Sequence, residues 1–188
     1  MLSFPKLETA RLIVHPLSYN DAESIQLIAS ARQIADTTIS IPHPYPDGEA
    51  ERYTIKKITE FQTGKSAAFA IKAKLEAKLM GVIEIRDIDR EHSVAELSFW
   101  LAPQFWGQGY MSEAVQPILD YGFTHLSLNR IYAFHMARNP ASGKVLQKNG
   151  FQPEGLLRQR VRKWDVFEDV VLLSILHRDW QEQTMQVA

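Results

Sequence analysis

The sequence contains no cysteine. This absence excludes disulfide bonds, thiolate metal sites and a cysteine nucleophile at once. Net charge is also nearly absent, because 21 lysines and arginines face 22 aspartates and glutamates. A protein without a strong overall field does not attract nucleic acid or an anionic membrane surface through its total charge. We therefore expect no nucleic-acid partner, and we expect any anion-binding site to be local.

Long apolar segments are missing as well. A membrane-spanning helix needs about 20 consecutive apolar residues, and the apolar run at residues 166–176 is interrupted by Glu168 and Asp169. The first 17 residues scatter charged side chains among apolar ones, which is not the order of a secretion signal. These patterns predict a soluble, cytoplasmic protein without a membrane partner.

The histidines are too scattered to suggest a metal site. None of the six lies at H-E-x-x-H spacing or in another tight ligand pattern. Because cysteine is absent too, no metal is expected. The six positions are His15, His43, His92, His125, His135 and His177.

Length and periodicity predict one domain over residues 1–188. A chain of this size with 45% hydrophobic residues can bury a sizeable core. A capping box of Asn20 and Glu23 is expected to open the first helix, Asp47 to cap the second, and Gly81 to mark a β-bulge. Strand and helix patterns alternate, which predicts an α+β or α/β fold with helices on both faces of a mixed sheet. The predicted strands cover residues 11–17, 67–74, 79–88, 93–101, 130–136 and 169–177, and the predicted helices cover residues 20–35, 47–62, 114–126 and 140–149.

The most informative segment is a glycine loop between a predicted strand and a predicted helix. Residues 104–110 read Gln-Phe-Trp-Gly-Gln-Gly-Tyr, a Q-x-x-G-x-G pattern. Gly107 and Gly109 let backbone N–H groups approach an anion without a Cβ in the way, and the helix N-terminus adds unpaired donors. The spacing is neither the P-loop of nucleotide hydrolases nor the dinucleotide-binding fingerprint. Because the loop contains no lysine or arginine, it predicts a diphosphate site built mainly from peptide dipoles.

Six sequence blocks, one of which contains this loop, resemble the GNAT superfamily of acyl-CoA-dependent N-acyltransferases. Within that superfamily they are similar to the RimJ/RimL group, which acetylates the N-termini of ribosomal proteins. Gln104, Gly107 and Gly109 match the superfamily signature between its fourth strand and third helix. The blocks span nearly the whole chain and read Leu7-Glu-Thr-Ala-Arg-Leu, Ala95-Glu-Leu-Ser-Phe-Trp-Leu, Trp106-Gly-Gln-Gly-Tyr-Met-Ser-Glu-Ala, Asn129-Arg-Ile-Tyr-Ala, Asn139-Pro-Ala-Ser and Asn149-Gly-Phe-Gln-Pro-Glu-Gly.

The resemblance implies a three-layer GNAT fold and acetyl-CoA as cosubstrate. The CoA diphosphate is expected at the peptide groups of residues 104–111. The pantetheine arm is expected along the strand that ends Phe99-Trp100-Leu101, whose splayed end would supply unpaired amides. The family attacks the thioester directly with a neutral amine and forms no acyl-enzyme, which agrees with the absence of cysteine. Family members often form dimers, so a homodimer is one expected assembly. The expected cofactor contacts are Phe99, Trp100, Leu101, Gln104, Gly107, Gln108, Gly109, Tyr110, Met111, Asn139 and Ser142.

Ser142 admits two interpretations. In the family the matching serine donates a hydrogen bond to the departing CoA sulfur, whereas a serine in the first turn of a helix can also act as a cap. Asn139 is the better N-cap because Pro140 suits the first helical turn, so the catalytic interpretation of Ser142 is favoured. Asn139 is interpreted both as a cap and as a cofactor contact. Lys144 and Lys148 are either solvated or near the adenosine 3′-phosphate.

Glu96 also admits two interpretations. It shares one face of its strand with Ser98 and Trp100. A carboxylate there could take the proton of the attacking amine if burial raised its pKa toward neutrality. The alternative is an exposed or ion-paired strand glutamate without a catalytic role.

The acceptor is the least constrained part of the prediction. The resemblance favours the α-amino group of a ribosomal or other protein, and small-molecule amines remain the alternative. His43 and Tyr45 lie in a proline-stiffened loop at residues 39–47, which matches the region that lines the acceptor groove in the family. Two rivals of other classes are a non-catalytic acyl-CoA sensor, which the retained Asn139 and Ser142 disfavour, and a nucleotide-binding regulator that uses the glycine loop alone.

Overall fold

The computed structural model describes residues 7–76 and 78–187, so the ends of the predicted domain at residues 1 and 188 lie outside the described part. The described residues form eight strands: β1 (Leu7–Glu8), β2 (Leu12–Pro16), β3 (Ala67–Ala73), β4 (Leu79–Asp89), β5 (Val94–Leu101), β6 (Arg130–Met136), β7 (Gln152–Lys163) and β8 (Val166–Leu176). They form one sheet in the order β1-β2-β3-β4-β5-β6-β8-β7. Every neighbouring pair is antiparallel except β5 and β6, which are parallel.

Within residues 7–76 and 78–187, six α-helices cover the two faces of this sheet. They are α1 (Ala22–Ala29), α2 (Arg32–Thr37), α3 (Glu49–Gln62), α4 (Tyr110–Asp120), α5 (Pro140–Lys148) and α6 (His177–Val187), and α4 continues into a π-helical turn at Tyr121–His125. In the described residues, no helix combines the length and apolarity needed to cross a membrane.

Alternation along β3 separates the two cores. Ala68 and Ala70 pack with Ile25 of α1 and Ala50 of α3 on one face, whereas Phe69 of the same strand packs in the cluster that includes the apolar side of α4 on the other. Successive strand residues point to opposite faces, so the sheet is the middle of three layers. This arrangement confirms the predicted α+β fold with helices on both faces of a mixed, mostly antiparallel sheet.

Two predicted helix starts are wrong by one or two residues. The capping box before α1 joins Ser18 to Asp21, because the Ser18 amide and hydroxyl both donate to Asp21 Oδ2 at 2.9 and 2.7 Å. Asn20 and Glu23 do not form it. Gly48, in the left-handed region with φ 72°, precedes α3 in place of Asp47.

The predicted helix over residues 20–35 is divided into α1 and α2. Ala31 between them has an extended backbone with ψ 125°, which ends the helical hydrogen-bond ladder. The break directs the end of α2, residues Thr37 and Thr38, toward the divergent strands described below.

The largest omissions are β7 and α6, and β8 begins at Val166 instead of residue 169. β7 is the outer strand of the sheet, and most of its residues are exposed on both faces. Such an edge strand lacks the apolar alternation from which half-buried strands are predicted.

Candidate active site

The parallel strands β5 and β6 diverge in the middle of the sheet. Their pairing covers Val94–Arg130, Ala95–Ile131 and Glu96–Tyr132, and in the described part of the chain no ladder joins the rest of the two strands. β5 still pairs with β4 as far as Leu101. The divergence opens a gap that exposes the β6-facing edge of β5.

A bulge in β4 sets the position of this strand end. The register between β3 and β4 shifts between Ile71 and Lys72. Ile71 pairs with Gly81 and Lys72 pairs with Leu79, so Met80 is the extra residue of the bulge. A Cβ at Gly81 would lie 2.2 Å from the Trp100 carbonyl oxygen, so only glycine permits this close approach of the two backbones. The bulge expected at Gly81 is confirmed.

A cavity of about 300 Å³ lies between the gap and the glycine loop, and we call it the loop cavity. Its walls come from the end of α2, the end of β5, the loop with the first turn of α4, and the start of α5. Most of the predicted cofactor contacts line it: Phe99, Trp100, Leu101, Gly107, Gly109, Tyr110, Met111, Asn139 and Ser142, together with Lys144 and Lys148.

The backbone of the glycine loop has the shape of an anion cradle. Gly107 and Gly109 have φ of 72° and 79°, a left-handed conformation that side-chain-bearing residues adopt only with strain. A Cβ at Gly107 would meet nothing within 4 Å, so no steric clash within the protein requires glycine there. Glycine is favoured at this position by the left-handed backbone and because it leaves the peptide groups open to a ligand. Gly109 is the N-cap of α4, whose first-turn amides have no helical acceptor and carry partial positive charge. These features fit a phosphate group.

Gln104 and Gln108 do not line the loop cavity. The Gln108 side-chain amide donates to the Gln104 carbonyl oxygen at 2.8 Å, which closes the loop on its own side. Trp106 Nε1 donates to the Leu101 carbonyl oxygen at 2.6 Å and ties the loop to the end of β5. The Gln108–Gln104 bond therefore shapes the loop from outside the cavity, whereas Trp106 and Leu101 are part of the cavity wall.

Asn139 and Ser142 form a joint at the start of α5. Asn139 is the N-cap, and its Oδ1 accepts from the Ser142 amide at 3.5 Å. The Asn139 Nδ2 group donates to the Ser142 hydroxyl oxygen at 3.0 Å and to the Thr37 carbonyl oxygen at 3.1 Å. Ser142 is therefore not the cap, and its oxygen already accepts a bond, which leaves its own proton available for donation.

A second cavity, of about 370 Å³, lies on the α1–α3 side of the strand gap, and we call it the groove. It is lined by α1, the proline-containing segment, α3 and the facing parts of β4, β5 and β6. Tyr45 lines the groove, whereas His43 is exposed and does not. The two cavities share the wall residues Thr37, Thr38, Phe99, Trp100 and Ser142.

Glu96 lies in the groove and is both buried and ion-paired. Arg86 Nη2 of β4 donates to Glu96 Oε1 across the antiparallel pair. Burial raises the pKa of Glu96 above its ordinary value, although the hydrogen bond and the charge of Arg86 oppose the rise. Glu96 thus has the raised pKa expected of a general base and also the ion pair expected of a structural strand glutamate.

A buried polar network beside this pair was not predicted. Glu84 of β4 accepts from Lys57 Nζ at 3.0 Å and from the Tyr53 hydroxyl at 2.9 Å, and Lys57 also reaches Glu60 at 2.8 Å. Burial and the Glu84 charge raise the pKa of Tyr53 well above its ordinary value. Burial alone would lower the pKa of Lys57, but the Glu84 and Glu60 carboxylates outweigh it and raise that pKa. The available signal was Glu84 itself, the one charged residue in the otherwise apolar run Leu79–Ile85 of β4.

Tyr45, in the proline-containing segment, lines the groove beside this network and acts electrostatically on Tyr53. Burial raises its pKa to about 12, with a smaller contribution from the Glu49 carboxylate. Tyr45 is therefore neutral at physiological pH and can offer a hydroxyl proton. Over residues 7–76 and 78–187, no group of three or more metal-ligating side chains comes together.

The whole chain resembles known acetyltransferases. The sequence model of the acetyltransferase (GNAT) domain matches residues 11–152. An uncharacterized N-acetyltransferase, p20, of Bacillus licheniformis is 34% identical over 175 residues, which cover 93% of this chain and 97% of that protein. The ribosomal-protein-serine acetyltransferase of Escherichia coli is 29% identical over 165 residues, covering 87% and 91% of the two chains.

Structural comparison agrees at the level of the fold. The spermidine N-acetyltransferase of Vibrio cholerae, crystallised with CoA and spermine, superposes with a TM-score of 0.81 at 24% identity and covers 92% of this chain and 99% of its own. The strand gap, the glycine loop and the family match lead to one conclusion: the chain belongs to the GNAT acetyltransferase family and is an acetyl-CoA-dependent N-acetyltransferase.

Proposed function

We propose that the loop cavity holds acetyl-CoA, that the groove holds the amine acceptor, and that transfer takes place at their shared wall. The observation that carries this proposal is the shared wall itself, where Phe99, Trp100 and Ser142 border both cavities. Loop amides would receive the diphosphate, and the open edge of β5 would receive the pantetheine arm. Acetyl-CoA supplies an activated acyl group as a thioester, so positioning and proton handling are left to the protein.

Ser142 acts on the leaving-group side. Its oxygen accepts a hydrogen bond from Asn139 Nδ2 at 3.0 Å. The hydroxyl proton of Ser142 therefore points away from Asn139. That proton can stabilise negative charge as it develops on the departing sulfur. The Asn139 contact with Thr37 also joins α2 to α5, which keeps the two sides of the shared wall together.

Glu96 acts on the acceptor side. It lies where β5 and β6 separate and lines the groove. Its raised pKa makes it a better proton acceptor than an exposed glutamate, while Arg86 stabilises the ionised form. Glu96 can therefore take the proton of an ammonium group that enters the groove, directly or through a water molecule.

The leading acceptor is the N-terminal α-amino group of a protein, including a ribosomal protein. The charges of the groove support a singly charged amine over a polyamine. Among its described lining residues, each of the three carboxylates is already paired: Glu49 with Arg52 at 2.8 Å, Glu84 with Lys57 at 3.0 Å, and Glu96 with Arg86. With Glu96 engaged by the reacting amine, the second ammonium group of a polycation would find only Glu49 and Glu84 among the described lining residues, and each already has a cationic partner. The relative that acts on a ribosomal protein supports the same acceptor class.

A small-molecule amine is the second candidate. It is favoured by the similarity to spermidine acetyltransferases, one of which, from Vibrio cholerae, is 32% identical over 98 residues, 52% of this chain and 57% of that protein. The two candidates differ in the charge and length of the acceptor, so one assay separates them.

The test is an acceptor panel with acetyl-CoA, read by release of free CoA thiol and by product mass. Peptides of about ten residues with free N-termini are compared with the same peptides blocked at the N-terminus, with spermidine and with free amino acids. We expect one acetyl group on the free peptides and none on the blocked ones, even where they contain lysine. Preferred acetylation of spermidine would replace the peptide proposal. Binding of CoA without transfer to any acceptor would favour the sensor.

A further inference from the structure

An arginine from the N-terminal strand region lies directly on the glycine loop. Arg11, just before β2, donates from Nη1 to the Gln108 carbonyl oxygen at 3.1 Å. Its guanidinium carbon lies 4.2 Å from the centroid of the Tyr110 ring. The loop contains no arginine or lysine of its own, so Arg11 brings a cation to it from almost a hundred residues away in sequence.

Glu113, one turn into α4, holds Arg11 in this position. Its two carboxylate oxygens accept from Arg11 Nε at 2.6 Å and from the Arg11 amide at 2.8 Å, and Thr9 Oγ1 adds a third bond at 2.5 Å. Partial burial opposes ionisation of Glu113, but the bonds from Thr9 and Arg11 keep its pKa below the ordinary value. The guanidinium therefore bridges a carboxylate on α4 and a carbonyl in the loop, which its planar fork permits.

The bond to Gln108 has a consequence for the neighbouring amide. In a trans peptide the C=O of Gln108 and the N–H of Gly109 point in opposite directions. Because Arg11 holds the Gln108 oxygen, the Gly109 N–H points away from Arg11. Gly109 lines the loop cavity and Arg11 does not, so an amide directed away from Arg11 is placed to meet a ligand in that cavity.

We propose that Arg11 is a positioning residue for the cofactor: it fixes the Gln108–Gly109 peptide so that the Gly109 amide donates to the CoA diphosphate. The proposal rests on the placement of the diphosphate at the loop. Glu113 largely neutralises the guanidinium, so the contribution of Arg11 is geometric more than electrostatic. A lysine has a single ammonium group and cannot hold Gln108 and Glu113 in the same fork.

The test compares Arg11→Gln and Arg11→Lys with the parent in two measurements. Calorimetry gives the affinity for CoA, which reports binding without turnover. Steady-state kinetics are then run with acetyl-CoA and with S-acetyl-pantetheine, a donor that lacks the diphosphate. Arg178→Gln is the matched control, because Arg178 is 76% exposed on α6 and forms an ion pair with its neighbour Asp179, away from the loop.

We expect both Arg11 variants to bind CoA about tenfold more weakly, as for the loss of one charge-assisted hydrogen bond. KM for acetyl-CoA should rise by a similar factor with kcat unchanged at saturation, and the kinetics with S-acetyl-pantetheine should match the parent. The Arg178 control should behave as the parent throughout.

Parent-like CoA affinity in Arg11→Gln would overturn the proposal. An equal loss of activity with S-acetyl-pantetheine would assign Arg11 a general structural role. Parent-like CoA affinity in Arg11→Lys would show that only the charge of Arg11 matters. Either result would also overturn the proposal. A parent enzyme that binds pantetheine as tightly as CoA would contradict the diphosphate placement itself, which is a different failure from that of Arg11.

Discussion

The loop cavity and the groove border the same five residues but are built in different ways. The loop cavity is lined mainly by two short stretches, residues 99–112 and 139–148, and its proposed contacts to the cofactor are backbone amides. The groove takes its walls from five or more segments between Ile25 and Ser142, and its distinctive features are paired side chains. The part that meets a common cosubstrate is thus encoded locally, whereas the part that meets the acceptor is assembled by the fold.

The largest expected effect is that of Glu96→Gln on the groove side. Glutamine keeps the shape and can still accept from Arg86, but it cannot take a proton. Because burial raises the pKa of Glu96, the parent rate should rise with pH through a value above that of an ordinary glutamate, and this limb should vanish in the variant. We expect a loss of about 10² to 10⁴-fold near neutral pH.

The rate of Glu96→Gln should recover at high pH, because the acceptor amine then arrives already neutral and needs no base. A variant with structural damage would not recover in this way. Glu91→Gln, on the exposed turn before β5, is the control. A Glu96→Gln variant with the parent rate at every pH would remove Glu96 from the mechanism and leave the amine to enter deprotonated.

On the loop-cavity side, Gly107→Ala combined with Gly109→Val should abolish most of the CoA affinity. Both positions have φ above 70°. Strain of about 1–3 kcal/mol at each sums to about 2–6 kcal/mol, and a loop that relieves this strain by leaving the cradle conformation loses roughly 30-fold in affinity or more. Calorimetry with CoA measures this loss of affinity. The control is Gly155→Ala, where a Cβ also meets nothing within 4 Å but φ is not in the left-handed region. Unchanged CoA binding in the double variant would refute the cradle.

Ser142→Ala tests the shared wall. We expect turnover to fall by about 10 to 100-fold, because a hydroxyl donor contributes up to about 10²-fold and water can partly replace it. The Kd for CoA should change much less, since the effect belongs to the departing sulfur. Ser30→Ala, at the exposed end of α1, serves as the control. A variant that loses affinity and keeps turnover would return Ser142 to a binding role.

The smallest effect is expected from Tyr53→Phe, which removes one hydrogen bond to Glu84 in the groove. Loss of about 1 kcal/mol should lower Tm by about 2–4 °C. If the groove binds the acceptor and the loop cavity binds acetyl-CoA, KM for the acceptor should rise while KM for acetyl-CoA stays the same. A matching rise in both constants would show that the cavities are not independent.

The elements that could be predicted are those whose patterns are local. The strands that become β3, β4 and β5 alternate with turns, the bulge at Gly81 follows from a glycine within a strand, and the Q-x-x-G-x-G loop directly precedes a helix. Each of these depends on neighbours within a few residues. All the cofactor contacts that the family resemblance implied line the loop cavity except Gln104 and Gln108, whereas the wall supplied by Thr37 and Thr38 was not anticipated.

Of the groove, Glu96 and Tyr45 were named from the sequence, but its ion pairs could not be anticipated because they depend on register between distant segments. Arg86 meets Glu96 only through the β4–β5 pairing, and Lys57 meets Glu84 only because α3 packs on that face of the sheet. The same applies to Arg11, whose partner Glu113 is 102 residues away. Edge strand β7 was missed for a different reason, since exposure on both faces removes the periodic signal.

The most direct test of the account is a bisubstrate ligand in which a peptide N-terminus is joined through an acetyl bridge to the sulfur of CoA. If the cavities meet at Phe99, Trp100 and Ser142, this ligand should occupy both at once. We predict competition with both substrates and an affinity at least about 100-fold above that of CoA alone, because the second binding event becomes intramolecular. Affinity no better than that of CoA, or competition with acetyl-CoA only, would contradict the claim that acceptor and cofactor meet at this wall.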